Sequence, residues 1–207
     1  MRASCLPLHT VADVFAGLAL SGRSPAGKGP EPIRVISVGD IQDGRVANSN
    51  LSQIVVERRA KVERYLAESG DVLVACRGTQ AKVFLVPAHL AGVVVTSTLI
   101  GIRPRGRLLP EVLTAYLRSA AGQQELLSHM RSATGQIALT VGDVAEMEVP
   151  VPPIGEQERL AELIRTADAC YMAAIEGAGL RRDIAYQLAV DVIVARRHRV
   201  REAVKSG

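Results

Sequence analysis

Tryptophan is absent from the 207 residues, and aromatic side chains of all kinds make up only 3%. So few rings cannot line up as platforms for successive bases, which argues against binding of single-stranded nucleic acid. No run of 18 or more apolar residues occurs, and no charged-then-apolar leader opens the chain. Membrane and secretion readings therefore fail. Cys5, Cys76 and Cys170 are odd in number and scattered, which fits reduced thiols in a cytoplasm. Four widely spaced histidines and no Cys-x-x-Cys offer no metal site. Catalytic patterns are missing too. No glycine-rich cofactor loop follows a strand, no phosphate-binding Gly-Lys-Ser/Thr occurs, and no serine sits in a nucleophile elbow. Asp40, Asp43 and Asp71 with Lys82 would suit a nuclease, but each of these aspartates lies beside a glycine, and turn roles explain them more simply. The chain by itself is expected to be neither an enzyme nor the holder of a cofactor.

What is present begins with a hydrophobic content of 48%, enough for one good core plus an appended helical segment. The formal net charge is +4, and it is local. Arg196, Arg197, Arg199, Arg201 and Lys205, set against Glu202, account for all of it, so the rest of the chain sums to zero. A basic tail of this kind is usually a solvated end.

The chain is organised around residues 149 to 200. Val149-Pro150-Val151-Pro152-Pro153 cannot be a central strand, because proline gives no N–H to a ladder. With Gly155 and then Glu156 and Glu158 it reads as a rigid lead-in to a helix. From Glu156 to Arg199 no proline interrupts, giving about 44 residues and about 66 Å if fully helical. An apolar seam runs Leu160, Ile164, Ala167, Tyr171, Ala174 and Ala178, then Ala185, Leu188, Val192 and Ala195, in heptad-like steps of three and four. Arg181 on the seam, with Gly177 and Gly179 before it, predicts a break or kink there. Such a helix cannot bury its stripe against itself, so it needs a partner.

Ahead of it, residues 1 to 22 suggest a short helix, with Thr10–Asp13 as its capping box and Val14, Phe15 and Leu18 as its buried side. Residues 21 to 32 read as a loop, 33 to 41 as a strand, Asp43-Gly44 as a turn, and 51 to 56 as another strand. Residues 57 to 67 read as a helix with a solvated charged face. Valine-rich runs on either side of Cys76–Gln80 predict a hairpin, and Val93 to Ile102 a strand interrupted at Ser97-Thr98. Arg103, Arg105 and Arg107 then cluster in a Pro/Gly loop. Pro110 to Met130 reads as one amphipathic helix with Leu113, Tyr116, Leu117, Ala120, Gln124 and Leu127 on its face. Thr140 and Asp143 can cap a turn further on.

Pro152-Pro153-Ile154-Gly155-Glu156-Gln157, before a long helix, resembles the motif that closes each target-recognition domain in DNA specificity subunits of Type I restriction–modification systems. Val38-Gly39-Asp40-Ile41 with Asp43-Gly44, and Gly70-Asp71-Val72-Leu73 opening the hairpin, resemble further elements of that family in the same order. The likeness covers residues 33 to 200. It implies an α+β fold: a mixed and antiparallel β target-recognition domain with packed helices over residues 1–150, and a long spacer helix with a basic tail over 151–207. It implies recognition of double-stranded DNA, with a partner methyltransferase supplying S-adenosylmethionine and adenine chemistry, and with a restriction subunit as a further candidate partner. Family members carry two recognition domains and two spacer helices, whereas this chain has room for one of each. A homodimer, or pairing with a different half-subunit, is the expectation for Leu160, Ile164, Ala167, Tyr171, Ala174, Leu188 and Val192. The rival readings are a coiled-coil interaction or scaffold protein without DNA specificity, and a small hydrolase, which the missing catalytic set disfavours. Val151 and Ile154 flank Pro152-Pro153 where an adenine methyltransferase tetrapeptide has Asn/Asp and an aromatic.

Reading a duplex needs side chains able to hydrogen-bond base edges, carried on loops over a rigid scaffold. The candidates are Arg77, Gln80 and Lys82 in the hairpin, Ser97 and Thr98, and Arg131, Thr134 and Gln136, with Arg45, Asn48 and Asn50 as a weaker group.

Overall fold

The computed structural model describes residues 4–20, 32–42, 44–46, 51–55, 62–76, 81–132 and 137–205, with the side chains of 131, 132, 137 and 195–205 set aside. The chain divides into two compact units, Met1–Glu162 and Leu163–Gly207.

In chain order the strands are β1 (Ser4–Pro7), β2 (Ala12–Ala16), β3 (Pro32–Ile36), β4 (Ile41–Gln42), β5 (Arg45–Val46), β6 (Gln53–Val55), β7 (Val72–Ala75), β8 (Val83–Leu85), β9 (Val94–Val95), β10 (Leu99–Pro104), β11 (Arg131–Ser132), β12 (Ile137–Ala138) and β13 (Glu148–Val151). The α-helices are α1 (Pro110–Arg118), α2 (Ala120–His129), α3 (Val141–Glu146) and α4 (Ile154–Lys205). The principal sheet is antiparallel, in the order β2-β10-β7-β8. A second sheet, β6-β3-β9, is mixed: β3 pairs antiparallel with β6 and parallel with β9.

Both faces of the principal sheet are covered, which is why β7 is apolar throughout instead of alternating. Val72 and Val74 face one core with Ile100, Ile102, Leu113, Leu117, Leu126, Val144 and Met147, so α1, α2 and α3 lie on that side. Leu73, between them, turns to a second core with Ile36, Ile41, Phe84, Leu90, Val95 and Leu99. Gly101 sits under the Phe15 ring, where an added Cβ would lie 2.1 Å from a ring carbon. The Arg103 guanidinium stacks over the same ring at 5.3 Å.

The expected hairpin at β7–β8, the break at Ser97-Thr98 between β9 and β10, and the Thr140/Asp143 capping box on α3 are all present. Other expectations need correction. The first helix is absent: β2 pairs along its length with β10, Phe15 opposite Gly101 and Val14 opposite Ile102, so tertiary pairing outweighs the local capping signal. The helix expected at 57 to 67 is a single 3-10 turn, Glu63–Tyr65, within its described residues. The helix expected over 110 to 130 breaks at Ser119, whose hydroxyl accepts from the Gly122 amide and caps α2. The break rotates the second half, so Leu126 is buried and Leu127 is 42% exposed. Val149 to Val151 is a strand after all, but one in the two-stranded pair β1–β13, where Pro150 can leave its missing donor at a free edge. α4 runs through Gly177 and Gly179 without the expected break. Each glycine costs only about 1 kcal/mol against alanine, which strong helix formers on both sides absorb.

Candidate nucleic-acid interface

One end of the principal sheet gathers the segments that carry the candidate readers. Cys76, last described residue before the β7–β8 loop, is the joint. Its amide donates to the Thr98 carbonyl at 3.1 Å, its carbonyl accepts from the Leu139 amide at 2.8 Å, and its thiol points to the Ser97 carbonyl at 3.8 Å. The end of β7, the Ser97-Thr98 turn and Leu139, next after β12, are thereby tied to one another by backbone. Ser97 and Thr98 are both exposed. The Thr98 hydroxyl accepts from the Val38 amide at 3.0 Å and shares a hydrogen bond with the Thr96 hydroxyl at 2.9 Å.

The other margin of the hairpin is anchored to the helices. The Gln123 amide accepts from the Ala81 N–H at 3.1 Å and donates to the Ala81 and Leu117 carbonyls at 2.9 and 2.8 Å. Lys82 is exposed along its stem, yet its ammonium donates to the Ile41 carbonyl at 2.6 Å and the Val38 carbonyl at 3.3 Å. Arg118, which the sequence did not single out, donates to the carbonyls of Val83 and Gly44. Its partners lie 35 and 74 residues away, so no local pattern could have marked it. Arg131 opens β11, opposite Ala138. Arg77, Gln80, Thr134 and Gln136, with Asn48 and Asn50, lie outside the described residues.

The opposite end of the sheet is different in kind. Arg103 lies in β10, not in a loop with Arg105 and Arg107. Its guanidinium donates twice to the buried Asp71 carboxylate, both at 2.8 Å, once to the Leu66 carbonyl, and pairs with Glu68 at 2.6 Å. The Asp71 hydrogen bonds, and then the charges of Asp71 and Glu68, hold the Arg103 pKa above its ordinary value in spite of burial. Arg105 pairs with Asp13. These cations are neutralised in place and serve the fold. Asp40 likewise accepts from the Ser37 amide and hydroxyl as a turn cap, and Asp71 accepts from the Glu68 amide. Among the described residues no group of three or more His, Cys, Asp or Glu is placed to hold a metal.

The Pro-Pro motif has a mechanical role. Gln157 is fully buried, accepts from the Leu109 amide at 2.9 Å, and donates to the carbonyls of Arg107 at 2.9 Å and Pro152 at 2.7 Å. It locks the start of α4 to the loop ahead of α1. Ala161, one turn on, is also buried. Beyond it Ile164 is half-buried, while Ala167, Tyr171, Ala174, Leu188 and Val192 are exposed, with Leu160 at the margin. Leu163, Ile175, Leu180 and Ile184 add further exposed apolar surface. Among the described residues no helix is long and apolar enough to cross a membrane.

Three solved structures share this architecture. A chain from work on complex assembly and conformational transition of the type I R-M system is 21% identical, with 83% of this chain and 40% of that one covered and a TM-score of 0.60. The HsdS subunit from Thermoanaerobacter tengcongensis is also 21% identical, over 83% and 39% of the two chains, with a TM-score of 0.56. The S subunit of the Type-I restriction-modification system from M. genitalium is 14% identical, over 81% and 39%, with a TM-score of 0.51. At these identities the likeness is one of fold: sheets of mixed and antiparallel strands, packed helices and a long C-terminal helix. The chain spans about 40% of the length of the solved chains it matches. No curated protein matches its sequence. The model of the Type I restriction modification DNA specificity domain matches residues 11–177, most of the chain, and the protein belongs to that family.

Proposed function

We propose that the chain reads a base sequence in double-stranded DNA and brings that site to a partner adenine methyltransferase, with a restriction translocase as a further partner, while doing no chemistry itself. The observation that carries this reading is the joint at Cys76, which gathers three loop-bearing segments at one end of a rigid sheet in a member of a DNA specificity family. Loops on such a scaffold suit base reading, and phosphate contacts then set the register. Arg77, Gln80, Ser97, Thr98, Arg131, Thr134 and Gln136 are the proposed readers, with Lys82 on the same rim. S-adenosylmethionine would belong to the methyltransferase, whose pocket receives the flipped base. The exposed seam of α4 would take a second helix, from another copy or from a different half-subunit.

Selection of duplexes from a random library by the full chain tests the reading. One motif should be enriched, and affinity should fall steeply with salt, with a log–log slope of about −0.9 per phosphate contacted. A chain that self-associates but enriches no motif would be the coiled-coil interaction protein instead.

A further inference from the structure

β4 and β5 form a hairpin with Ile41 opposite Val46 and Gln42 opposite Arg45, too short to hold a fixed position unaided. Two cations from distant parts of the chain grip it. Lys82 binds its base, through the carbonyls of Val38 and Ile41. Arg118, at the end of α1, binds its tip through the Gly44 carbonyl at 3.0 Å and spans from there to the Val83 carbonyl in β8 at 3.2 Å. Gly44 has a φ of 69°, and a Cβ there would lie 2.5 Å from the Arg118 guanidinium, so the cation occupies the space a side chain would need. The Val38 amide, at the start of the same segment, is held by the Thr98 hydroxyl. Long cationic side chains at a surface ordinarily keep their rotamer freedom. Here both lose it to backbone carbonyls in and beside one small hairpin, next to the joint at Cys76.

Ile41 is fully buried, so the pleat turns Gln42 to the outside, where it is exposed. A glutamine amide presents an NH2 donor beside a carbonyl acceptor, spaced so that it can donate to N7 and accept from the N6 amino group of adenine in the major groove. We infer that the β4–β5 hairpin is a reading arm in its own right, in which Gln42 is a specificity-determining residue facing an A·T pair and Lys82 and Arg118 are positioning residues that fix the arm. The inference rests on the DNA-reading function proposed above. It moves Lys82 from contacting DNA to holding the element that does.

Duplex selection with the full chain, comparing wild type, Gln42→Ala, Lys82→Met and Lys82→Arg, tests it, followed by affinity measurements from 50 to 200 mM salt. Gln42→Ala should abolish preference at one A·T position, by roughly tenfold, and leave the remaining positions intact. Lys82→Met should blur that same position with no change in salt slope, and Lys82→Arg, which can still donate to two carbonyls, should restore it. A wild-type motif that Gln42→Ala leaves intact overturns the arm alone. A salt slope that drops by about 0.9 in Lys82→Met marks Lys82 as a phosphate contact and overturns its positioning role. No motif with the wild type overturns the DNA reading and this inference together.

Discussion

Gln157 illustrates how much one side chain of a short motif can hold. Its amide satisfies three backbone groups from two separate segments, and among the described residues no buried side-chain nitrogen or oxygen is left unpaired. Gln157→Ala leaves the Leu109 amide and the Arg107 and Pro152 carbonyls without the buried amide that pairs them. The expected loss is about 3 kcal/mol of stability, since three hydrogen bonds worth about 1 kcal/mol each are lost together. Gln157→Glu keeps the acceptor but turns a negative charge toward two carbonyls, and it should be at least as damaging. Urea denaturation followed by circular dichroism measures both, and a loss under 1 kcal/mol for Gln157→Ala would show that water replaces the amide. The sequence displays Gln157 as part of a recognisable phrase, but its work is invisible there, because two of its partners lie 48 and 50 residues away. The same holds for Arg103 and Asp71, 32 residues apart: three arginines spaced two apart look like a basic loop until acidic partners for Arg103 and Arg105 arrive from elsewhere.

At the level of elements, legibility follows how local the deciding force is. The β7–β8 hairpin, the α3 capping box and the start of α4 depend on neighbours in sequence, and all could be read. The β2 strand depends on pairing at a distance and could not; the Ser119 break rests on a local cap that the apolar stripe running across it concealed. The helix break makes a test that separates propensity from packing. Ser119→Ala removes the α2 cap and should cost about 1 kcal/mol. Gly122→Ala replaces a poor helix former with the best one, which by propensity alone would stabilise by about 1 kcal/mol. Packing predicts the reverse, because a Cβ on Gly122 would sit 2.1 Å from the Tyr116 carbonyl oxygen. Gly122→Ala should therefore destabilise by more than Ser119→Ala in thermal or urea unfolding. Equal stability of Gly122→Ala and wild type would mean that α1 and α2 can separate freely. The candidate readers divide along the same line. The turn at Ser97-Thr98 was legible, but Arg131, expected in a loop, opens a strand, and the joint at Cys76 and the grip of Arg118 on Gly44 are products of the fold.

For the whole molecule, the question is what covers α4. Leu163, Ile184, Leu188 and Val192 are each more than half exposed and, at about 3.6 residues per turn, share one face of α4, and apolar surface of that kind suits an interaction site. Burying one Leu, Ile or Val side chain is worth roughly 1.5–3 kcal/mol, so pairing along the seam would give a stable complex even after the cost of association. A second copy of this chain is the simplest partner, and sedimentation velocity should show a dimer at micromolar concentration. Leu188→Asp with Val192→Asp should return the chain to a monomer while the unfolding of the β-rich unit stays unchanged, because neither residue belongs to Met1–Glu162. A two-fold pair would carry two identical readers, so the duplex selection should then yield a motif made of two equivalent half-sites. A wild-type monomer enriching a single half-site would leave the DNA reading standing and assign the seam to a helix of a different chain.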